Sequence, residues 1–364
     1  MKNKKLISIF IICIIFVVGC GKKDNGDYKG ELFNVQTAKL TGLNYMQRLL
    51  ENDIEGANAL SAPEVAANNT TKKIVSDPII AFSPGDITET GNSAYVNFNV
   101  VRINEKDKGT NLDKYILKIE KNGEDYKVSD IGSENLKQMY YRGDEIRSIT
   151  KGAGDSELVL RMKDIPLELY PKEEKVPIQK TKVPKDKFGV MSVDFKGSEI
   201  ALTTTNGKDT FIGTAMVEEA EQTMAQMYSD NRIAQDGQKG IDENTLRKVL
   251  EKPIAQKIIG YDILKDCNVN KMMFTEEGSE LIVQYTKGNN PNVGLKIYKN
   301  PDGEPLKIDF EKLFPMDKYE VKFKGGSQSK LIITVNTSSK YKDVYQDALG
   351  DYVIDLIEEE LYKM

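Results

Sequence analysis

Histidine and tryptophan are absent from the 364 residues, and cysteine occurs three times. Without histidine there is no Ser-His-Asp or Cys-His catalysis and no histidine-ligated zinc or haem. Cys13 lies inside an apolar N-terminal run and Cys20 closes it, which leaves Cys267 as the one thiol of the body. A single body cysteine can form neither an internal disulfide nor a cysteine-held metal cluster, and as a nucleophile it would lack its usual base. The expectation for Cys267 is a buried, inert side chain. Positive charge is also short, with 51 Lys and Arg against 56 Asp and Glu. A general nucleic-acid binder needs clustered basic groups, and the lysine-rich stretch Lys172–Lys187 is interrupted by acids and prolines. No phosphate-cradling Gly-x-x-x-x-Gly-Lys-[Ser/Thr] loop and no twelve-residue calcium loop occurs. The sequence therefore offers no catalytic residue, no metal site, no cofactor site and no nucleic-acid partner.

The strongest positive signal is at the start of the chain. Lys2, Lys4 and Lys5 precede Leu6–Val18, which is almost uniformly apolar (LISIFIICIIFVV). That run has the length of a signal-peptide core and falls short of the ~20 apolar residues that span a bilayer. Val17-Val18-Gly19-Cys20 closes it, and a polar run, Gly21-Lys22-Lys23-Asp24-Asn25-Gly26-Asp27, follows as a flexible tether. The pattern resembles the lipobox of bacterial lipoproteins, of the type found in Gram-positive cells. The resemblance implies that residues 1–19 are removed, that Cys20 is the lipidated residue, and that the body is held on the extracytoplasmic face of the membrane. Two acyl chains suffice for such an anchor where one is marginal. Losing the three signal lysines leaves 48 basic against 56 acidic residues, a net charge of −8 for the mature chain.

About 330 residues then remain, which predicts two domains. After the tether (20–34), Val35 to Leu60 has helical spacing, with Leu43, Met46, Leu50, Ile54 and Ala57 on one face. Strand patterns follow at Pro78–Ile87, Asn92–Ile103, Leu112–Lys121 and Glu124–Ile131. In the second of these, Ala94, Val96, Phe98 and Val100 alternate with Tyr95, Asn97 and Asn99. Asn122-Gly123 supplies a hairpin turn. A helix followed by an antiparallel meander resembles the NTF2-like family, over roughly Val35 to Gly132. The resemblance implies an α+β cone (35–132) with a pocket under its helix. Asp86 and Asp130, near strand ends, and Tyr95 and Tyr115 are the residues that would border it. The acid–base dyad of the family's enzymes has no counterpart here, because it relies on histidine.

Ser133–Arg147 reads as a helix or linker, and Thr150–Asp155 as a flexible joint, so that 133–155 separates the two domains. The second domain (156–364) opens with Glu157–Met162 and Ile165–Tyr170 and carries a proline- and lysine-rich loop from Pro171 to Lys187. A weak repeat follows: Phe195…Gly197-Ser198-Glu199-Ile200 corresponds to Phe274…Gly278-Ser279-Glu280-Leu281, each flanked by strand patterns. A looser third copy runs from Tyr319 to Val335. The strand–turn–strand unit weakly resembles blades of TolB-type or WD-type β-propellers. Two or three copies fall short of the four to eight a closed propeller uses, so the expectation is antiparallel hairpins in one β-rich α+β domain. Helical patterns cover Val217–Ser229, Asp242–Ile259 and Lys340–Met364. The last has Tyr345, Leu349, Tyr352, Leu356 and Ile357 on one face and is expected to pack on the sheet as a C-terminal helix. Ser327-Gln328-Ser329-Lys330 has Ser-x-x-Lys form but sits in a Gly-Gly turn without the companion motifs of the serine enzymes that use it. The expected function is a non-catalytic, membrane-anchored binding or scaffold protein at the cell envelope, with an unknown envelope protein or cell-wall partner. The alternatives are a small-ligand carrier or chaperone using the NTF2-like pocket, and a hydrolase using paired carboxylates.

Overall fold

Among the described residues of the computed structural model, four antiparallel sheets of three or more strands and one two-stranded ribbon, each made of strands consecutive in sequence, build the body. The structure describes residues 33–67, 77–104, 109–152, 155–170, 179–217, 251–337 and 346–364. The signal run, Cys20, most of the tether, the helical pattern from residue 218 to 229 and the 242–250 stretch lie outside the described residues. Asn34–Met364 belong to a single unit. Among the described residues, no helix is long and apolar enough to cross a membrane.

The one long helix among the described residues, α1 (Val35–Leu50), starts where the Asn34 side chain accepts hydrogen bonds from the N–H groups of Gln36 and Thr37. The expected single helix breaks at Asn52, whose φ is +57°, and restarts as α2 (Ile54–Ala59) under an Asp53 cap. α3 (Pro63–Ala67) follows. The first sheet is a meander of β1 (Ile79–Thr90), β2 (Ser93–Ile103), β3 (Thr110–Asn122), β4 (Asp125–Arg142), β5 (Glu145–Thr150) and β6 (Glu157–Arg161). The β2 alternation holds, with Ala94, Val96, Phe98 and Val100 all fully buried. Gly123 turns β3 into β4 at φ +67°.

A two-residue ribbon, β7 (Glu168–Leu169) with β8 (Thr181–Lys182), leads to the second sheet. That sheet comprises β9 (Lys187–Val193), β10 (Glu199–Thr205), β11 (Thr210–Val217) and β12 (Ala255–Leu264). The third is β13 (Cys267–Phe274), β14 (Glu280–Lys287) and β15 (Gly294–Lys299). A short helix, α4 (Phe310–Leu313), precedes the fourth, formed by β16 (Tyr319–Ser327), β17 (Lys330–Thr337), β18 (Gly350–Asp355) and β19 (Glu360–Lys363). The three repeat copies coincide with the opening hairpins of the second, third and fourth sheets.

One apolar cluster draws side chains from all four sheets, including Val101, Phe211, Ile282 and Ile333. Polar ties also join the sheets. Lys137 Nζ donates to the Gly197 carbonyl at 2.7 Å, Asn99 Nδ2 to the Phe195 carbonyl at 3.2 Å, and the Tyr141 hydroxyl to the Gly189 carbonyl. Gln47 Nε2 of α1 donates to the Lys324 carbonyl at 3.0 Å, and Val321 N to the Val293 carbonyl at 2.8 Å.

The α+β expectation, with its NTF2-like cone, is overturned, because the fold is mainly β. Ser133–Arg147, expected as a helix or linker, is β4 continuing into β5, and its buried Met139 and Ile146 face the common core. The C-terminal helix is instead the hairpin β18–β19. Tyr352, Ile354 and Leu356 also step by two, and Tyr352 and Ile354 pair within that hairpin while all three are buried. A helix over Asp242–Ile259 fails at its described end, where β12 begins at Ala255 and pairs with β11. Pro253 disfavours continuing a helix there.

Candidate functional site

The four residues named for an NTF2-like pocket do not converge. Tyr115 pairs with Phe98 in register on the face beneath α1, where it is 1% exposed and burial pushes its hydroxyl pKa upward. Tyr95 points to the other face, opposite Lys118, and Lys118 is opposite Asp130. Asp130 Oδ1 accepts from the Ile131 N–H at 2.9 Å. Asp86 lies at an irregularity in the β1–β2 register and is exposed. Nor does the helix stand off the sheet. A Cβ on Gly42 of α1 would lie 3.2 Å from Ile119 Cδ1 and 3.3 Å from Phe98 Cζ. Helix and sheet are in direct contact where the pocket was expected.

The repeat, by contrast, produces a defined polar seam between the second and third sheets. In both copies a glycine with positive φ (Gly197 at +73°, Gly278 at +77°) turns the hairpin. Asp194 Oδ1 accepts from the N–H groups of Ser198 (2.7 Å) and Glu199 (2.8 Å). Thr275 plays the matching part, its Oγ1 accepting from the Glu280 N–H at 3.0 Å. Asn300 clasps the two turns together. Its Nδ2 donates to Glu199 Oε2 at 2.7 Å and to the Gly278 carbonyl at 2.7 Å, while its Oδ1 accepts from the Tyr261 hydroxyl. Burial holds the Glu199 carboxyl above its ordinary pKa, and Asp194 adds to this; hydrogen bonds from Asn300 and Thr214 oppose it. These carboxylates organise backbone and amide groups. Asn300-Pro301-Asp302-Gly303 has turn composition, and nothing in it announces a side chain reaching two distant turns.

At the opposite ends of the same sheets lies an open cleft of about 320 Å³. Its walls come from the β9 start and the β10–β11 turn on one side, and from the β13 start and the β14–β15 turn on the other. The floor is tied shut where Thr210 Oγ1 donates to the Cys267 carbonyl at 2.6 Å. Cys267 is buried, as expected, with Sγ 3.1 Å from the Lys265 carbonyl. Gly189 is needed on the floor because a Cβ there would collide with Thr203 Oγ1, which donates to the Val190 carbonyl. Lys187 and Lys208 stand on one wall, Asn268 and Asn289 on the other, all four exposed. Asp266 is the only carboxylate in the lining. Apart from Cys267 and Lys187, the end of the lysine-rich loop, none of these residues was singled out from sequence, since Lys and Asn in turns are ordinary surface chemistry.

A smaller cleft of about 270 Å³ lies between the end of α1 and the third and fourth sheets. Its Lys322 and Lys324 are engaged by Glu320 (2.8 Å) and Asp351 (2.7 Å). Among the described residues, no group of three or more acidic or cysteine side chains is arranged to hold a metal ion.

No protein-family model and no curated protein matches this sequence. Among solved structures, the chain is similar to the β-propeller domain of the Trilobed protease from Pyrococcus furiosus, at 8% identity, with 78% of this chain and 72% of that one covered and a TM-score of 0.29. It is similar to prolyl oligopeptidase B from Galerina marginata at 10% identity, covering 81% of this chain but 35% of that one, with a TM-score of 0.31. It is also similar to KlHsv2 with its loop 6CD replaced by a Gly-Ser linker, at 10% identity, covering 72% and 90% of the two chains, with a TM-score of 0.28.

Proposed function

We propose that this chain is an extracytoplasmic lipoprotein, anchored through Cys20, that binds a partner at the cell envelope without chemistry of its own. The lysines before Leu6–Val18 and the Val17-Val18-Gly19-Cys20 ending support the anchor. The observation that carries the binding reading is the open cleft between the second and third sheets. Its walls present ammonium and amide groups, and its single carboxylate, Asp266, has no acidic companion in the lining. A paired-carboxylate hydrolase needs two acids facing across one cleft, about 5–10 Å apart. The carrier reading falls with the NTF2-like cone on which it rested.

The anchor is tested by Cys20→Ser, which is expected to leave the precursor uncut or to release the body from the membrane fraction. Mass spectrometry of the native N-terminus reads the outcome directly, and an intact Met1 without added hydrocarbon would falsify the anchor. The binding face is tested by placing a photo-cross-linking residue at Asn289 and at Thr88, on the exposed end of β1, in intact cells. A cross-linked envelope species from Asn289 and none from Thr88 is expected. Equal yields from both positions would remove the cleft from the reading.

A further inference from the structure

Resting on the reading of the cleft as a binding face, we infer that it takes a phosphate group carried on a small hydroxylated molecule. Lys187 and Lys208 carry the argument. Lys187 is opposite Thr205 in the β9–β10 register, and Lys208 lies in the turn that follows β10. Both lysines therefore stand at the same end of the second sheet and line the same cleft. Among the described residues neither makes an ion pair, so neither charge is held by a direct partner, unlike Lys322 and Lys324 in the smaller cleft.

The lining discriminates between anions. Two lysines on one wall match a phosphate, which carries about two negative charges, better than a carboxylate, which carries one, and lysine binds phosphate oxygens as a point charge. The opposite wall offers the side-chain amides of Asn268 and Asn289, each able to donate and to accept, as hydroxyl groups require. A cleft of about 320 Å³ is at the small end of ligand sites and fits a three- or four-carbon polyol phosphate. Asp266 is the one opposing charge. Its Oδ2 lies 3.0 Å from where a Cβ would stand on Gly288, so the carboxylate sits over the β14–β15 turn, on the amide wall. The phosphate then belongs on the lysine wall and the hydroxyls on the amide wall.

Isothermal titration of the full-length chain at low ionic strength tests this, with glycerol 1-phosphate, glycerol and inorganic phosphate as probes. Glycerol 1-phosphate is expected to bind saturably and more tightly than inorganic phosphate, and glycerol not at all. Lys187→Gln and Lys208→Gln should each weaken it by about threefold to tenfold, the range for one partly solvated charge contact. Asp266→Asn should tighten it. Asp266 has φ +53°, a conformation that asparagine adopts readily, so this variant keeps the turn. Vesicles containing phosphatidylglycerol distinguish the source: co-sedimentation of a chain lacking residues 1–20, lost on Lys187→Gln, identifies a lipid headgroup, and its absence a free ligand. No saturable binding of glycerol 1-phosphate up to about 10 mM, where the binding energy falls below ~3 kcal/mol, overturns the inference. Weaker or unchanged binding in Asp266→Asn overturns it as well. Cross-linking from Asn289 together with failed phosphate binding would discard the ligand class and leave the binding face in place.

Discussion

Asp113 shows how much rests on single side chains in this fold. It accepts from Arg102 Nε and, at 2.8 Å, from Asn135 Nδ2, with side-chain exposures of 3% for Asp113 and 15% for Arg102. Removing one member of a buried pair strands the other charge, at a cost of about 3–5 kcal/mol, whereas replacing both with apolar groups is often neutral. Asp113→Ala leaves Arg102 to Asp77 at 3.7 Å and is therefore expected to fall at the low end, about 3 kcal/mol in urea unfolding, and Arg102→Met with Asp113→Leu to regain most of it. Glu199 has the opposite character. Burial raises its pKa in the folded state, so the folded chain binds a proton more readily than the unfolded chain. Stability from this group is full below the unfolded pKa and declines as pH rises toward the folded one. Glu199→Gln keeps an acceptor for Asn300 and cannot ionise. It should match the wild type in urea unfolding at pH 4 and exceed it at pH 7; a variant less stable at pH 7 would refute this account.

Elements differ in how openly the sequence wrote them. The β2 alternation and the Gly123 turn were legible because a half-buried strand and a positive-φ turn each leave a local pattern. β18 was not, because its apolar positions fit both a helical and a two-residue period, and only pairing with β17 and β19 selects the strand. The same holds for β12, selected by β11. For α1 the sequence set the helix, but its docking depends on Gly42 lying against Phe98 and Ile119. Gly42→Val is expected to destabilise the chain by about 1–3 kcal/mol, as overpacking does. Helical circular dichroism would be largely retained, since the helix is lifted from the sheet more than melted. An unchanged midpoint in thermal unfolding would show that α1 already stands clear of β2 and β3.

For the whole molecule, the Asn300 clasp links two turns about eighty residues apart, a separation that a contact map makes and local sequence does not. Asn300→Ala should cost about 1–3 kcal/mol, because it removes a partner from the buried Tyr261 hydroxyl and from the half-buried Glu199 carboxylate and Gly278 carbonyl. It should also lower amide-exchange protection at Ser198–Glu199 and Ser279–Glu280 together. Loss at one turn alone would contradict a shared clasp. The sequence by itself determined the export pattern expected at Cys20, the exclusion of histidine chemistry, and the three hairpins of the repeat. Each of these depends on residue identity or on neighbours within a few positions. Only the tertiary structure decided that the fold is mainly β, that the space under α1 is filled, and that Lys187 and Lys208 face Asn268 and Asn289 across a cleft. Those outcomes depend on which strand edges and faces meet, and packing free energy is set by partners that lie far apart along the chain.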